Sequence, residues 1–244
     1  MKSLQIRFYF RMCIKLNQIP RLNQFTKMKV LVFDTETTGL PTERNASYME
    51  TEKWPHIVQI SFILYDTDKG SILVAHDHII QLPDDVIISA ESERIHGISH
   101  SRCRRQGVPI SVALKEFGEC QLKADRLVAH NMSFDKRVIL AACRREGVHQ
   151  HFFSSARVMP EYCTMKRTKD IPVVVASNSR GVYNKFPTLT ELHRHLFNGA
   201  SPRGTHDAFA DILICLRCYV ELEHNYDIVS TPGALPRIYH EYAF

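Results

Sequence analysis

No run of about 18 consecutive apolar residues occurs in this 244-residue chain, so no segment has the length and hydropathy of a membrane-spanning helix. Internal repeats and low-complexity tracts are also missing. A disulfide framework is absent too: the seven cysteines (13, 103, 120, 143, 163, 215 and 218) are odd in number and scattered. They read as reduced thiols, which points to an intracellular location, cytoplasmic or nucleoid-like. Cys215 and Cys218 form a CxxC, but no second pair accompanies it and it falls within an apolar helical pattern. A buried, inert role fits that setting better than redox or zinc chemistry.

Acidic residues are lacking from one segment. Six of the 31 lysines and arginines lie in residues 1–27 (Lys2, Arg7, Arg11, Lys15, Arg21, Lys27), which hold no acid. That leaves 25 basic residues against 26 acids over 28–244, so the formal charge of +5 belongs to the extension. Any affinity of the remainder for phosphate must come from local groups or bound cations. Phe8, Tyr9 and Phe10 are interrupted by Arg7 and Arg11, which denies the segment a secretory apolar region. A dispensable extension, or an upstream start before Met28, is the favoured reading over an organelle-targeting peptide. With 44% apolar and 23% charged residues, the chain has a globular composition.

The pattern sharpens at Lys29. Val30-Leu31-Val32-Phe33 suits a central strand buried on both faces. A long polar loop over 41–56 follows. Ile57–Tyr65 and Ser71–Ile80, joined by turn formers at 66–70, predict a β-hairpin. Residues 111–124 have helical spacing with Ser111 as the expected cap, 126–129 make a short strand, and Ser133–Glu146 predicts a helix stopped by Gly147. Thr188-Leu189-Thr190-Glu191 spells a capping box, and a long helix is expected over about 207–223. A hairpin leading into alternating helices and strands implies one α/β domain on a mixed sheet over 28–224, with 225–244 as a tail.

Several acids stand where a core would not hold them. Strand periodicity puts Asp34 and Glu36 on the same side as Val30 and Val32. Taken alone, this pair is equally at home as exposed turn residues. Asp211, however, lies within the apolar stripe of its helix, and Asp135 borders the apolar face of another. Isolated ion pairs would account for either one. Four converging carboxylates would repel one another unless divalent cations neutralised them, and oxygen donors of this kind favour Mg²⁺ or Mn²⁺. His206, five residues before Asp211, would point away from it if both were helical. The histidine is therefore expected in the loop ahead of the helix, able to reach the acids as a general base. A lone surface histidine at a helix start is the blander alternative.

These residues match a family. Phe33-Asp34-Thr35-Glu36-Thr37-Thr38-Gly39-Leu40 resembles the first motif of the DEDDh exonucleases, in wording nearest to the proofreading type. His130-Asn131-Met132-Ser133-Phe134-Asp135 is similar to the second motif. His206-Asp207-Ala208-Phe209-Ala210-Asp211 is similar to the third, its histidine marking the "h" subgroup. Ile95-His96-Gly97-Ile98 and Lys185-Phe186-Pro187 resemble further segments of the family. The likeness covers roughly residues 28–224; the loop 41–56 and an added turn at Ser177–Lys185 depart from it.

The resemblance implies an RNase H-like fold, a five-stranded mixed sheet flanked by helices, and two-metal 3′→5′ hydrolysis yielding nucleoside 5′-monophosphates. It implies Asp34, Glu36, Asp135 and Asp211 as metal residues for two Mg²⁺ or Mn²⁺ ions, and His206 as base. It further implies that Thr37, His96 and Asn131 position the 3′ nucleotide, while Leu40 and Phe134 contact terminal bases. Turn packing for Leu40 and core packing for Phe134 remain open alternatives. Arg102, Arg104 and Arg105 either line a solvated loop or follow the nucleic-acid backbone, the former being favoured. The expected partner is a nucleic-acid 3′ end, DNA ahead of RNA, with any polymerase a separate chain. An exoribonuclease of the same chemistry is the near rival, and a non-catalytic binding module the distant one.

Overall fold

The computed structural model describes residues 27–153, 158–171, 174–178, 181–230 and 234–243. The readings of the basic extension as dispensable or as a targeting segment lie outside the described residues.

Strand β1 (Lys29–Thr37) occupies the centre of a five-stranded sheet because Val30, Leu31, Val32 and Phe33 are apolar in succession and can be buried on both faces. β2 (Ile57–Asp66) pairs with it antiparallel and is buried along its whole length. β3 (Ser71–Ile79) returns from β2 across the expected hairpin to form the sheet edge. On the other side of β1, β4 (Arg126–Ala129) and then β5 (Glu161–Cys163) run parallel to it. The order β3-β2-β1-β4-β5 is the mixed, helix-flanked sheet that the resemblance implied.

Helices α1 (Ala90–His96), α2 (His100–Gln106) and α3 (Ile110–Lys123) lie between β3 and β4. α4 (Met132–Glu146) follows β4, and α5 (Thr164–Arg167) follows β5. A separate hairpin, β6 (Val175–Asn178) with β7 (Gly181–Asn184), precedes α6 (Leu189–Leu196), α7 (Ala208–His224) and α8 (Ala234–Tyr242). Leu31 and Phe33 face a core shared with α3 and α4, where Phe117, Val138 and Ile139 pack. Val30 and Val32 face a second core with Ile212, Leu216 and Tyr219 of α7. β1 is thus clamped between two layers, and its C-terminal end is the place where both layers meet it.

Some expectations need correction. α3 begins one residue earlier than predicted, with Pro109 rather than Ser111 at its cap; the fixed φ of Pro109 directs the chain into the helix without a side-chain bond. Arg102, Arg104 and Arg105 sit on helix α2, not in a loop, because Ser99 caps that helix and the chain leaves it at Gly107. The added turn at 177–185 belongs to the β6–β7 hairpin. The loop 41–56 is packed, with Trp54 buried and the guanidinium of Arg145 donating to the carbonyls of Thr51 and Trp54 at 2.7 and 3.1 Å. Residues 225–243, set apart as a tail, contribute Leu235 and Tyr239 to the core beside α7.

Candidate active site

The end of β1 carries Asp34 and Glu36 beyond Val30 and Val32 on the α7 side. The pairing with β2 shifts register between Glu36 and Thr37, which face Gln59 and Ile57 and leave Val58 of β2 as the extra residue, so the ladder is interrupted where the acids stand. Thr35, on the opposite face, reaches α4. Its hydroxyl and backbone N–H donate to Asp135 Oδ1 at 2.8 and 3.2 Å. Asp135 is buried in the first turn of α4, where the positive end of the helix favours a carboxylate.

Asp211 occupies the first turn of α7. One of its oxygens, Oδ2, accepts the backbone N–H of His206 at 3.2 Å, while Oδ1 is buried with no hydrogen-bond partner among the described residues. His206 precedes the helix in an exposed loop and adopts a left-handed backbone with φ of 70°. That turn carries its ring back over the acids: donor atoms of Glu36, His206 and Asp211 lie within 4.8 Å of one another.

The electrostatics show how crowded this corner is. Burial pushes the Asp34 carboxyl well above the ordinary range, and Asp135, Asp211, Glu36 and Asp207 add their repulsion in that order. Glu36 is raised to about 8, first by burial and then by Asp211, Asp135 and Asp207. Asp135 is pushed to about 7 by burial, against the opposing hydrogen bonds from Thr35. Asp211 also reaches about 7 through burial, with the His206 N–H pulling the other way. Such a set cannot be fully ionised near neutrality without a compensating positive charge. The orphaned Asp211 oxygen and the carboxylate-rich donor set fit a hard divalent cation of the Mg²⁺ or Mn²⁺ kind.

A cleft of about 660 Å³ opens beside the acids, lined by Thr35, Glu36, Thr37, Gly39, Leu40, Ser89, Glu91, Ser92, Ile95, His96 and Phe134. Four of the five residues expected to meet substrate border it. Leu40 projects from its rim with 80% of its surface exposed, and Phe134 is half-buried in the wall. The Thr37 hydroxyl is turned inward, donating to the Gly39 carbonyl at 2.7 Å. His96 is buried at the end of α1. Its Nδ1 accepts the Ile98 N–H at 3.0 Å, which leaves Nε2 protonated and donating to the Thr37 carbonyl at 3.2 Å. Both ring nitrogens of His96 are engaged in holding the Thr37 turn, so it shapes the cleft. Asn131 does not line the cleft. It turns the chain into α4 with φ of 64°, a conformation asparagine tolerates well, and its side chain accepts from Ser133.

Two residues escaped the sequence reading. Asp207 caps α7, accepting the N–H groups of Phe209 and Ala210 at 3.0 and 3.2 Å, and adds charge to the acid cluster. Gln59, fully buried on β2, accepts the Ala208 N–H at 3.1 Å and donates to Asp207 at 3.3 Å and to Asp77 at 2.8 Å. This network fixes the start of α7 against the sheet, and with it the spacing of His206 and Asp211. The available signal was the polar pair Gln59 and Ser61 in an otherwise apolar strand.

Comparison with known proteins bears on the family and the fold. The family model described as "Exonuclease", of the RNase T type, matches residues 31–219. No curated protein matches the sequence. Among solved structures, Exonuclease I in its apo form shares the fold at a TM-score of 0.60 and 15% identity, covering 88% of this chain and 44% of that one. E. coli Exonuclease I in complex with a dA16 oligonucleotide gives a TM-score of 0.60 and 17% identity, over 88% of this chain and 43% of that one. This chain therefore spans less than half the length of the Exonuclease I chains it matches. With the family model covering most of its length and an RNase H-like sheet beneath the acids, the chain belongs to the exonuclease family of DEDDh type.

Proposed function

We propose that the protein is a metal-dependent 3′→5′ exonuclease that removes nucleotides from single-stranded or frayed DNA ends. The observation that carries this reading is the convergence of four carboxyls and His206 at the edge of a cleft rimmed by Leu40 and Phe134. Asp34, Glu36 and Asp211 would hold two divalent cations, with Asp135 supporting them. Such ions, when bound, lower the pKa of water and neutralise charge developing at phosphorus.

The chain's own residues supply the rest. The exposed ring of His206, close to Glu36 and Asp211, is placed to accept a proton from the attacking water. Thr35 holds Asp135 in one orientation through two hydrogen bonds to a single oxygen, leaving the other oxygen for the site. Leu40 and Phe134 present apolar surface on which a base can rest without regard to sequence. The preference for DNA is supported by the neighbours: E. coli Exonuclease I is known in complex with dA16 and dT13 oligonucleotides.

The direct test incubates purified protein with 5′-labelled single-stranded DNA, duplex DNA and RNA of one sequence, with Mg²⁺, Mn²⁺ or EDTA. Hydrolysis restored by either ion, abolished by EDTA and fastest on single-stranded DNA is the expected result. Full activity in chelator contradicts the metal-dependent mechanism, and faster RNA degradation overturns the substrate assignment.

A further inference from the structure

A second cluster of donor atoms lies away from the acids just described. His76 and His78 alternate along the edge strand β3 and so project from the same face. Glu116 of α3 reaches across to both: its Oε2 is 3.3 Å from His76 Nδ1 and 2.6 Å from His78 Nε2. One donor atom from each residue falls within 4.8 Å of the other two. Asp77, between the two histidines, points to the opposite face and joins Ser61 and Gln59 at 2.7 and 2.8 Å. The strand therefore separates two polar clusters, one on each face.

We propose that His76, His78 and Glu116 form a binding site for a zinc-class divalent cation, independent of the nuclease centre. Two imidazoles and one carboxylate make a donor set suited to zinc and its neighbours rather than to Mg²⁺, which prefers oxygen alone. Zinc bonds of about 2.0–2.2 Å in a tetrahedron separate the donor atoms by roughly 3.3 Å, the spacing seen between Glu116 and His76, whereas the 2.6 Å contact of Glu116 with His78 must open to admit the ion. The His76 ring is oriented by stacking on Phe62, with centroids 4.8 Å apart and planes 28° apart, and the two imidazoles lie 5.3 Å apart. Side-chain exposures of 28%, 18% and 35% leave a route for an ion to enter and room for water to complete its coordination. A cation held there ties the edge strand to α3. The simpler alternative is a carboxylate satisfied by two imidazole N–H groups with no ion.

The test reads metal binding rather than nuclease activity, so its outcome is separable from that of the proposed function. The full chain carrying Asp34→Asn and Asp211→Asn, which weaken the nuclease centre, is titrated with Zn²⁺ against a chromophoric chelator and with Co²⁺ by visible spectroscopy. One ion per chain is expected, with cobalt bands of nitrogen and oxygen ligation. Adding Glu116→Gln, or separately His76→Asn, is expected to weaken binding by roughly 100-fold or more, beyond the 10–100-fold typical of outer-sphere partners. Circular dichroism confirms that each variant is folded, and the cobalt spectrum of the unsubstituted triad stands if one of them is not. Absence of binding, binding insensitive to both substitutions, or a thiolate-to-cobalt charge-transfer band would overturn the assignment.

Discussion

At the scale of single residues, the proposed reaction separates carboxyls that would neutralise cations from His206, which would move a proton. Asp34→Ala and Asp211→Ala each remove a charge from the acid cage, so metal affinity and hydrolysis should be lost together. His206→Ala leaves the cage intact. Isothermal titration should find the ions still bound, while single-turnover rates fall by about 10²–10⁴-fold, equivalent to roughly 3–6 kcal/mol in the barrier. Loss of metal binding in His206→Ala as complete as in Asp211→Ala would make His206 a ligand, a role its proximity to Glu36 and Asp211 also permits. The same acids predict how pH acts on the metal-free protein. Their folded pKa values are raised, to about 8 for Glu36 and about 7 for Asp135 and Asp211, so the folded state binds more protons than the unfolded one near neutrality. Stability is then greatest below the unfolded carboxylate range and is lost as pH rises through 7 to 8. In EDTA, the melting temperature should fall by several degrees between pH 6 and pH 9, and Mg²⁺ should recover most of that loss. A melting temperature that rises over the interval in EDTA would show that the carboxyls are not mutually strained.

At the scale of elements, the loop carrying His206 depends on the far end of the chain. The Arg203 N–H donates to the Ala243 carbonyl at 2.9 Å, and Phe209 meets Tyr242 edge-on with centroids 5.0 Å apart. Gly204 has φ of 67°, and a Cβ there would lie 2.6 Å from the Tyr242 carbonyl oxygen. Gly204→Val should therefore displace the His206 loop from α8, lowering kcat with little change in the Kd for metal. Equal kcat in the variant would show that the loop does not need this contact. α8 was not legible in the sequence because nine residues offer only about two and a half turns of periodicity, and Leu235 and Tyr239 become apolar anchors only beside α7. α1 and α2 escaped for a related reason: each has seven residues, and their clearest marks are the caps Ser89 and Ser99 and the glycines at 97 and 107. The capping box at Thr188–Glu191 and the β2–β3 hairpin were legible because local chemistry alone specifies them. The acids and the histidine that come together could be named from the motifs, whereas the inward turn of His96 and the anchoring role of Gln59 depend on contacts between distant segments.

At the scale of the whole molecule, two cores grip β1 from its two faces, and the acids lie at its C-terminal end, where the first turns of α4 and α7 bring Asp135 and Asp211. Cys215 and Cys218 belong to that support: both are buried, and burial pushes both thiols up, which suits packing rather than redox exchange. Behind them His193 donates from Nδ1 to the Ala200 carbonyl and accepts at Nε2 from Tyr239 and Arg217, joining α6, α7 and α8. Burial lowers its pKa to about 4, and that of His130 likewise. Both are neutral in the fold, so the stability they contribute is present above their unfolded pKa near 6.5 and is lost as pH falls toward 4. Replacing His193 with glutamine should move the acid unfolding midpoint to lower pH relative to the drop in neutral stability; an unchanged acid limb would assign the transition to other groups. Under the proposed function the protein shortens a DNA strand from its 3′ end, and the polarity of digestion is the decisive readout. The measurement follows a 5′-labelled linear strand with a free 3′-hydroxyl, the same strand blocked by a 3′-phosphate, and a single-stranded circle, all with Mg²⁺. A 3′→5′ exonuclease gives a ladder that shortens from the 3′ end, strong slowing by the 3′-phosphate and an intact circle, whereas internal cleavage of the circle at a comparable rate would make the protein an endonuclease.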